Sequence, residues 1–260
     1  MKDQPTATFS GDVSRTLIFH RSVPLPCPYV EGRFERRIVA ELTASQVGSG
    51  LFDDLTAAGF RRSHNMIYRP QCPSCTACVP VRILVDRFAP RRTLKRIWRT
   101  NEGMSVAVAP ASATVEQYAL FHAYQRARHG DGDMALMTFA DYRALVEESA
   151  ADTQLVELRD PDGTLVACCL FDSTVDGLSA VYSFYAAEHE KRGLGSMIVM
   201  WLVEHARAQA RPYVYLGYWI EECRKMAYKV RFMPMESLGP DGWRPLVLPP
   251  AATALPDAAD

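Results

Sequence analysis

The sequence predicts an α/β (α+β) fold: a mixed sheet with flanking helices, joined to a smaller N-terminal region rich in cysteine and arginine. Three observations predict it. Between about residues 113 and 248, two helical patterns precede three short apolar strands, and a Gly-x-Gly step then leads into an apolar helix and a further strand. Helices and strands mixed in this order pack as layers around a shared core. Residues 15–107 have a different character, dense in Cys, Pro and Arg. Finally, 48% of the 260 residues are hydrophobic and 23% are charged, which excludes wholesale disorder, collagen and a disulfide miniprotein. The length accommodates one large domain or two small ones.

Taken in order, residues 1–12 and 249–260 are small, polar and Pro-rich, and are expected to be loose tails. The N-terminal region is expected over 13–107. Leu17–Phe19 and Arg36–Leu42 read as short strands, 45–58 as a helix closed by Gly59, Phe60–Tyr68 as a strand and Val79–Val85 as another. Pro90 to Asn101 reads as a basic helix with Leu94, Ile97 and Trp98 on one face. The C-terminal region is expected over 108–248. Thr114 is placed to cap a helix reaching His129, with Val115, Tyr118, Phe121, His122 and Gln125 at helical spacing. A second helix follows at Phe139–Ser149. Gln154–Arg159, the turn Asp160-Pro161-Asp162-Gly163 and Leu165–Phe171 read as strand, turn, strand, with Leu178–Tyr185 as a third strand. Gly193-Leu194-Gly195-Ser196 opens an apolar helix to about Gln209. Tyr213–Leu216 reads as a buried strand, and Met226–Phe232 as a final helix-and-strand return.

The net charge of -1 conceals an asymmetry. Residues 1–107 carry 16 Lys/Arg against 9 Asp/Glu, and the remainder carries 13 against 21. The basic half is the better candidate for an anionic partner such as RNA. No apolar run approaches the roughly 20 residues that span a bilayer, and the first twelve residues contain no apolar signal core. A soluble, cytoplasmic protein is the expectation. Seven cysteines, an odd number, argue against a disulfide framework.

Several motifs carry chemistry. Cys72-x-x-Cys75-x-x-Cys78 has a spacing that suits zinc or an iron–sulfur cluster, with Cys27 as the fourth thiolate. Cys168 and Cys169 lie in an apolar strand and read as packing residues. Arg128-His129-Gly130-Asp131-Gly132-Asp133-Met134 sets a His and two acids in a glycine-rich loop after a helix, where His129 or Asp133 can hold a proton. Tyr213–Ile220 is dense in aromatics, and cations follow it in Arg224–Phe232, a pairing that suits stacked bases beside phosphates. Arg33 and Arg69 flank the Cys segments and have the fork geometry that binds carboxylate or phosphate.

Glu190-Lys191-Arg192-Gly193-Leu194-Gly195 resembles the Gly-x-Gly turn of Gcn5-related N-acyltransferases. Glu190 stands where that family carries Gln or Arg, which argues against a coenzyme A pyrophosphate at this turn. Longer strings resemble a more specific family: Pro26-Cys27-Pro28-Tyr29, Gly32-Arg33, Tyr68-Arg69-Pro70 through Arg82, the Arg128–Met134 loop, Leu178–Tyr185, Tyr213–Ile220 and Lys225-Met226-Ala227-Tyr228-Lys229. Together they span about residues 15–245. They resemble the bacterial aspartate/glutamate leucyltransferases, or leucyl-tRNA–protein transferases, which are related to the eukaryotic arginyl-tRNA–protein transferases.

The resemblance implies transfer of leucine from leucyl-tRNA to the α-amine of proteins beginning with Asp or Glu, which marks them for N-degron degradation. It implies leucyl-tRNA and such proteins as partners, with no membrane and no DNA, and no cofactor for the chemistry. On this reading Arg33, Arg69 and Arg82 are candidates for the acceptor carboxylate, and His129 or Asp133 for the base. Tyr182, Tyr185, Tyr218 and Trp219 are candidates to line the substrate pocket. Arg91, Arg92, Lys95, Arg96 and Arg99, together with Arg224, Lys225 and Lys229, are candidates to meet the tRNA. Three alternatives stay open: an arginyl donor, a coenzyme A-dependent N-acetyltransferase, and a non-catalytic RNA-binding or cluster-sensing module.

Overall fold

The computed structural model describes residues 17–248 apart from Ser49 and Asp131; the His129 side chain also lies outside the described residues. Both expected tails, 1–12 and 249–260, fall outside them as well. The chain opens with four short strands, β1 (His20–Arg21), β2 (Leu25–Pro26), β3 (Phe34–Glu35) and β4 (Arg37–Glu41). Helices α1 (Ala44–Gly48) and α2 (Leu51–Ala57) follow, then β5 (Arg61–Ser63) and β6 (Met66–Pro70). Strands β1, β4, β6 and β5 form a four-stranded sheet in that order, while β2 and β3 pair separately. Where one helix was expected over 45–58, Gly50 in the left-handed region ends the continuity. The strand expected over 60–68 is a hairpin that turns at His64, whose φ is 54°. No strand forms at Leu17–Phe19; pairing begins at His20.

Next come β7 (Val79–Leu84), α3 (Arg92–Thr100), β8 (Ser105–Pro110), α4 (Val115–His129), α5 (Phe139–Glu147), β9 (Thr153–Arg159), β10 (Leu165–Thr174) and β11 (Gly177–Tyr185). Helix α6 (Leu194–Ala208), β12 (Tyr213–Trp219), the short α7 (Arg224–Ala227), β13 (Met235–Gly239) and β14 (Gly242–Pro245) complete it. An eight-stranded mixed sheet dominates, in the order β14-β13-β7-β12-β11-β10-β9-β8. Strands β8 to β11 form an antiparallel meander, and β12 joins β11 in parallel through the α6 crossover. The expected order of strands, Gly-x-Gly turn, helix and further strand is therefore present, and that last strand is parallel to β11. Strand β7, from the first region, is hydrogen-bonded between β12 and β13. The expected division at 107/108 falls inside β8. Strands β8, β13 and β14 were not expected from the sequence, and Met226–Phe232 forms helical turns with no strand.

Local chemistry accounts for the elements nearest the site. Thr114 and Thr138 each form a reciprocal capping box, which starts α4 and α5 where the sequence places them. Nearly all of β10 is buried because both of its faces are covered. Ala167, Cys169 and Phe171 pack towards α6, while Cys168 and Leu170 pack towards α4 and α5, following the two-residue period of a strand. The two cysteines are packing residues on opposite faces. The small sheet is tied to the large one by Arg62 of β5, whose guanidinium donates to both carboxylate oxygens of Asp172 on β10 at 2.8 Å.

Candidate functional site

Strands β11 and β12 pair only at Gly177–Ser179 against Tyr213–Tyr215. Beyond Ser179, β11 stays bonded to β10 and β12 stays bonded to β7, so the sheet opens between them. Arg61 fills the apex of this opening. Its Nη1 donates to Ser179 Oγ at 3.0 Å and its Nη2 to the Ala180 carbonyl. Gly217 faces it with φ 72°, and a Cβ there would lie 2.8 Å from Arg61 Nε. A side chain at 217 therefore meets two penalties, a left-handed backbone and a displaced guanidinium. Gly217→Ala is expected to cost about 1–2 kcal/mol from the backbone alone. It should also lower transfer activity at temperatures where the variant remains folded. Thermal unfolding beside a transfer assay checks both, and wild-type behaviour in each would remove Arg61 from the site.

The open end of the cleft is lined by tyrosines. Tyr124 of α4 lies against Tyr185 with ring centroids 5.0 Å apart. Burial holds its hydroxyl well above the ordinary tyrosine range, and Tyr185, Tyr182 and Tyr228 reinforce this electrostatically while Arg128 opposes it. These five residues therefore share one end of the molecule. Gln125, fully buried, donates from Nε2 to the Tyr182 hydroxyl at 2.6 Å, which leaves the Tyr182 proton for another acceptor. Its Oε1 has no partner among the described residues, and neither does Trp219 Nε1; both atoms are buried. Unpaired buried polar atoms are costly, and each one in a folded protein calls for an explanation such as a catalytic role. Arg128 donates to the Tyr185 hydroxyl and lies 3.6 Å from Glu190. The acid that departs from the acetyltransferase pattern thus neutralises a site arginine. The N-terminus of α6 closes this end, with Gly195 held against the Tyr185 ring.

The remaining sequence-based candidates separate by environment. Tyr182 and Tyr185 lie in the tyrosine cluster. Tyr218 is buried, with its hydroxyl donating to the Gly59 carbonyl at 3.0 Å, and it packs beside Tyr29, Tyr68 and Cys78. Asp133 is exposed on a helical turn, and the His129 side chain expected beside it lies outside the described residues. Arg33 is exposed, donating to Cys75 Sγ at 3.3 Å and to Glu222 Oε2 at 2.8 Å. Arg69 is exposed over the Phe60 ring and donates to the Ala58 carbonyl. Arg82 corrects an expectation: it is buried, paired with Glu236 at 2.8 Å and held between the rings of Tyr213 and Trp243. A guanidinium already saturated in this way has no free edge for a substrate carboxylate.

Lys229 corrects another. It was expected to meet tRNA, yet it is buried, with Nζ donating to the Tyr218 carbonyl at 2.5 Å. Arg224 and Lys225 are exposed, as are Arg91, Arg92, Lys95, Arg96 and Arg99 on and before α3. The α3 cations form no ion pair among the described residues.

Cys27, Cys72, Cys75 and Cys78 are half-buried behind the end of β12. Burial, with the three neighbouring thiols adding to it, pushes the Cys78 thiol up to about 12. Four thiols suit a soft metal by donor chemistry. Their present contacts are the Val30 amide on Cys27, the Arg36 amide on Cys72 and the Arg33 guanidinium on Cys75. Among the described residues, no group of three or more Cys, His, Asp or Glu is placed to hold a metal ion. The expected centre thus has its four thiols in one neighbourhood.

Gln125, Tyr124, Tyr228 and Arg61 were not singled out as site residues by the sequence. Gln125 had a signal, a polar side chain on the apolar stripe of α4. Arg61 had none.

Residues 25–96 match the family described as Arginine-tRNA-protein transferase, N terminus, and residues 116–239 match its C terminus. A protein of Paramagnetospirillum magneticum named aspartate/glutamate leucyltransferase is 54% identical over 232 residues, 89% of this chain and 95% of its own length. One of the same name from Rhodospirillum rubrum is 49% identical over 234 residues, covering 90% and 95%. Among solved structures, L-PGS from Bacillus licheniformis aligns over 65% of this chain and 51% of its own, at 16% identity and a TM-score of 0.45. FemX aligns over 77% and 79%, at 8% identity and a TM-score of 0.44. The two matched segments and the relatives' nearly full-length coverage establish that the chain belongs to the aspartate/glutamate leucyltransferases, within the arginine-tRNA-protein transferase family.

Proposed function

We propose that this aminoacyltransferase moves leucine from leucyl-tRNA to the α-amine of proteins that begin with Asp or Glu, marking them for N-degron degradation. The observation that carries the assignment is the 54% identity to a leucyltransferase over 95% of that protein. An aminoacyl ester is already activated, so the step needs a deprotonated amine, donors for the oxyanion and departure of the tRNA 3′ hydroxyl. The opened strands β11 and β12 supply the place where two substrates meet. The free proton of Tyr182 and the unpartnered Trp219 N–H are the oxyanion donors, and Gln125 Oε1 accepts from the incoming amine. His129 or Asp133 remains the base. Among the described residues no helix is long and apolar enough to cross a membrane.

The test mixes the protein with peptides beginning with Asp, Glu, Ala or Lys and with leucyl- or arginyl-tRNA, and reads the peptide N-terminus by mass spectrometry. Leucine on the Asp and Glu peptides alone is the expected result. Arginine on them would change the donor, and transfer to none would overturn the reading.

Arg33 is the acceptor's cation on this reading. It already holds a carboxylate, that of Glu222, and an incoming Asp or Glu side chain competes with it. Both side chains are about half-exposed, so an incoming carboxylate displaces Glu222 at little cost. Glu222→Gln is therefore expected to lower KM for Asp- and Glu-peptides by roughly two- to fivefold with kcat unchanged. A KM that stays put or rises would move the acceptor site away from Arg33.

A further inference from the structure

A cavity of about 370 Å³ opens beside α3. Phe88, Trp98 and Met200 give it an apolar floor, and Lys95, Arg99 and Glu102 stand at its rim, with Glu204 opposite. It lies apart from the tyrosine-lined cleft, yet α6 connects the two: Gly195 touches Tyr185, and Met200 lies six residues beyond the start of the helix, about 9 Å along its axis. We infer that this cavity holds one unpaired cytidine of the tRNA CCA end, stacked on Trp98, while the terminal aminoacyl-adenosine reaches on to the cleft. The inference rests on the reading that leucyl-tRNA is the donor and that α3 faces it.

Three features argue for this occupant. The exposed cations of α3 carry no ion pairs among the described residues and line the approach, which suits a phosphate backbone. The indole of Trp98, half-buried, offers an aromatic surface beside Phe88 and Met200, the arrangement on which single-stranded bases stack. The third feature selects the base. Glu204 is engaged by Arg207, but Glu102 is exposed and has no ion pair among the described residues. A carboxylate accepts from the exocyclic amine of cytosine and repels the carbonyl oxygen that uracil presents at the same place. The site thus reads an amino-bearing base through an acid, on a surface that is otherwise basic.

The test measures binding of uncharged leucine tRNA and of transcripts in which one or the other CCA cytidine is replaced by uridine, at several salt concentrations. The wild-type protein should bind one of the uridine transcripts about tenfold more weakly. Trp98→Ala should bind the natural tRNA about tenfold more weakly and lose the discrimination, and Trp98→Phe should restore both. Glu102→Gln alters only an exposed side chain, so it tests the inference independently of folding; it should abolish the discrimination, because an amide can donate to uracil. Equal binding of all transcripts by the wild type, or discrimination retained in Glu102→Gln, would overturn the cytidine site. Arg92→Glu with Arg96→Glu tests the underlying reading separately, since it should weaken every transcript and reduce the salt slope by about one per cation. If that pair changes neither affinity nor slope, α3 does not face the tRNA and the cavity assignment falls with it, while the donor is decided by the transfer assay. If it changes both while the transcripts bind alike, only the cavity assignment fails.

Discussion

Arg62→Ala should destabilise the protein by about 3–5 kcal/mol, the cost of leaving one member of a buried ion pair unpaired. The Arg62 side chain is 1% exposed and that of Asp172 is 0%. The two meet through a pair of 2.8 Å bonds, and two further guanidinium protons go to the His64 carbonyl at 2.8 Å and to Thr153 Oγ1 at 3.3 Å. Truncation at 62 removes all of these at once and strands the Asp172 carboxylate inside the molecule. The loss is amplified by location, because Arg62 lies on the small sheet and Asp172 on the large one. Urea unfolding reads the effect. The double variant Arg62→Met with Asp172→Leu provides the control: with no charge left buried, it should be markedly more stable than Arg62→Ala. A loss below 1 kcal/mol in the single variant would show that the sheets are held together elsewhere. Arg61 is the adjacent residue and points to the β11–β12 opening, so a loosened β5 should reduce transfer as well as stability.

What the sequence made legible follows from local physics. The capping boxes at Thr114 and Thr138 are short-range devices, and both helices start at them. The run Leu165–Phe171 is apolar at every position, as a strand covered on both faces must be. The strings at Leu178–Tyr185 and Tyr213–Ile220 are the two strands that part to form the cleft. What was not legible depends on long-range pairing. Nothing local in Val79–Leu84 says that it enters the large sheet between β12 and β13, or that a hairpin at 235–245 closes that edge. The His64 turn carries no glycine to announce it. The same limit explains the misplaced cations. A lone Lys or Arg in a sequence is expected at the surface, and only tertiary structure supplies the carbonyl that holds Lys229 and the two rings that enclose Arg82.

Lys229 also sets the second large effect. Burial penalises its ammonium and the nearby Arg61 repels it, so its pKa is pulled from the ordinary lysine value down to about 7. The unfolded chain keeps a lysine near 10.4. Between about pH 7 and 10.4 the unfolded state therefore binds a proton that the folded state has released, and this residue makes stability rise with pH across that window. The limiting slope is about 1.4 kcal/mol per pH unit for one proton. Below about pH 7 both states are protonated and the burial penalty is felt in full. Lys229→Met removes the penalty and leaves the Tyr218 carbonyl without its donor, a cost of about 1–3 kcal/mol that does not vary with pH. The variant should gain most relative to the wild type at pH 6, and the gain should shrink steadily towards pH 10. Urea unfolding at pH 6, 8 and 10 tests this through the difference between the two proteins, in which other titrating groups cancel. Parallel stability curves would mean that Lys229 keeps its ordinary affinity for the proton. Converging curves would mean that the carbonyl at the end of β12, beside Trp219 in the cleft, is held by an amine that the fold keeps close to neutrality.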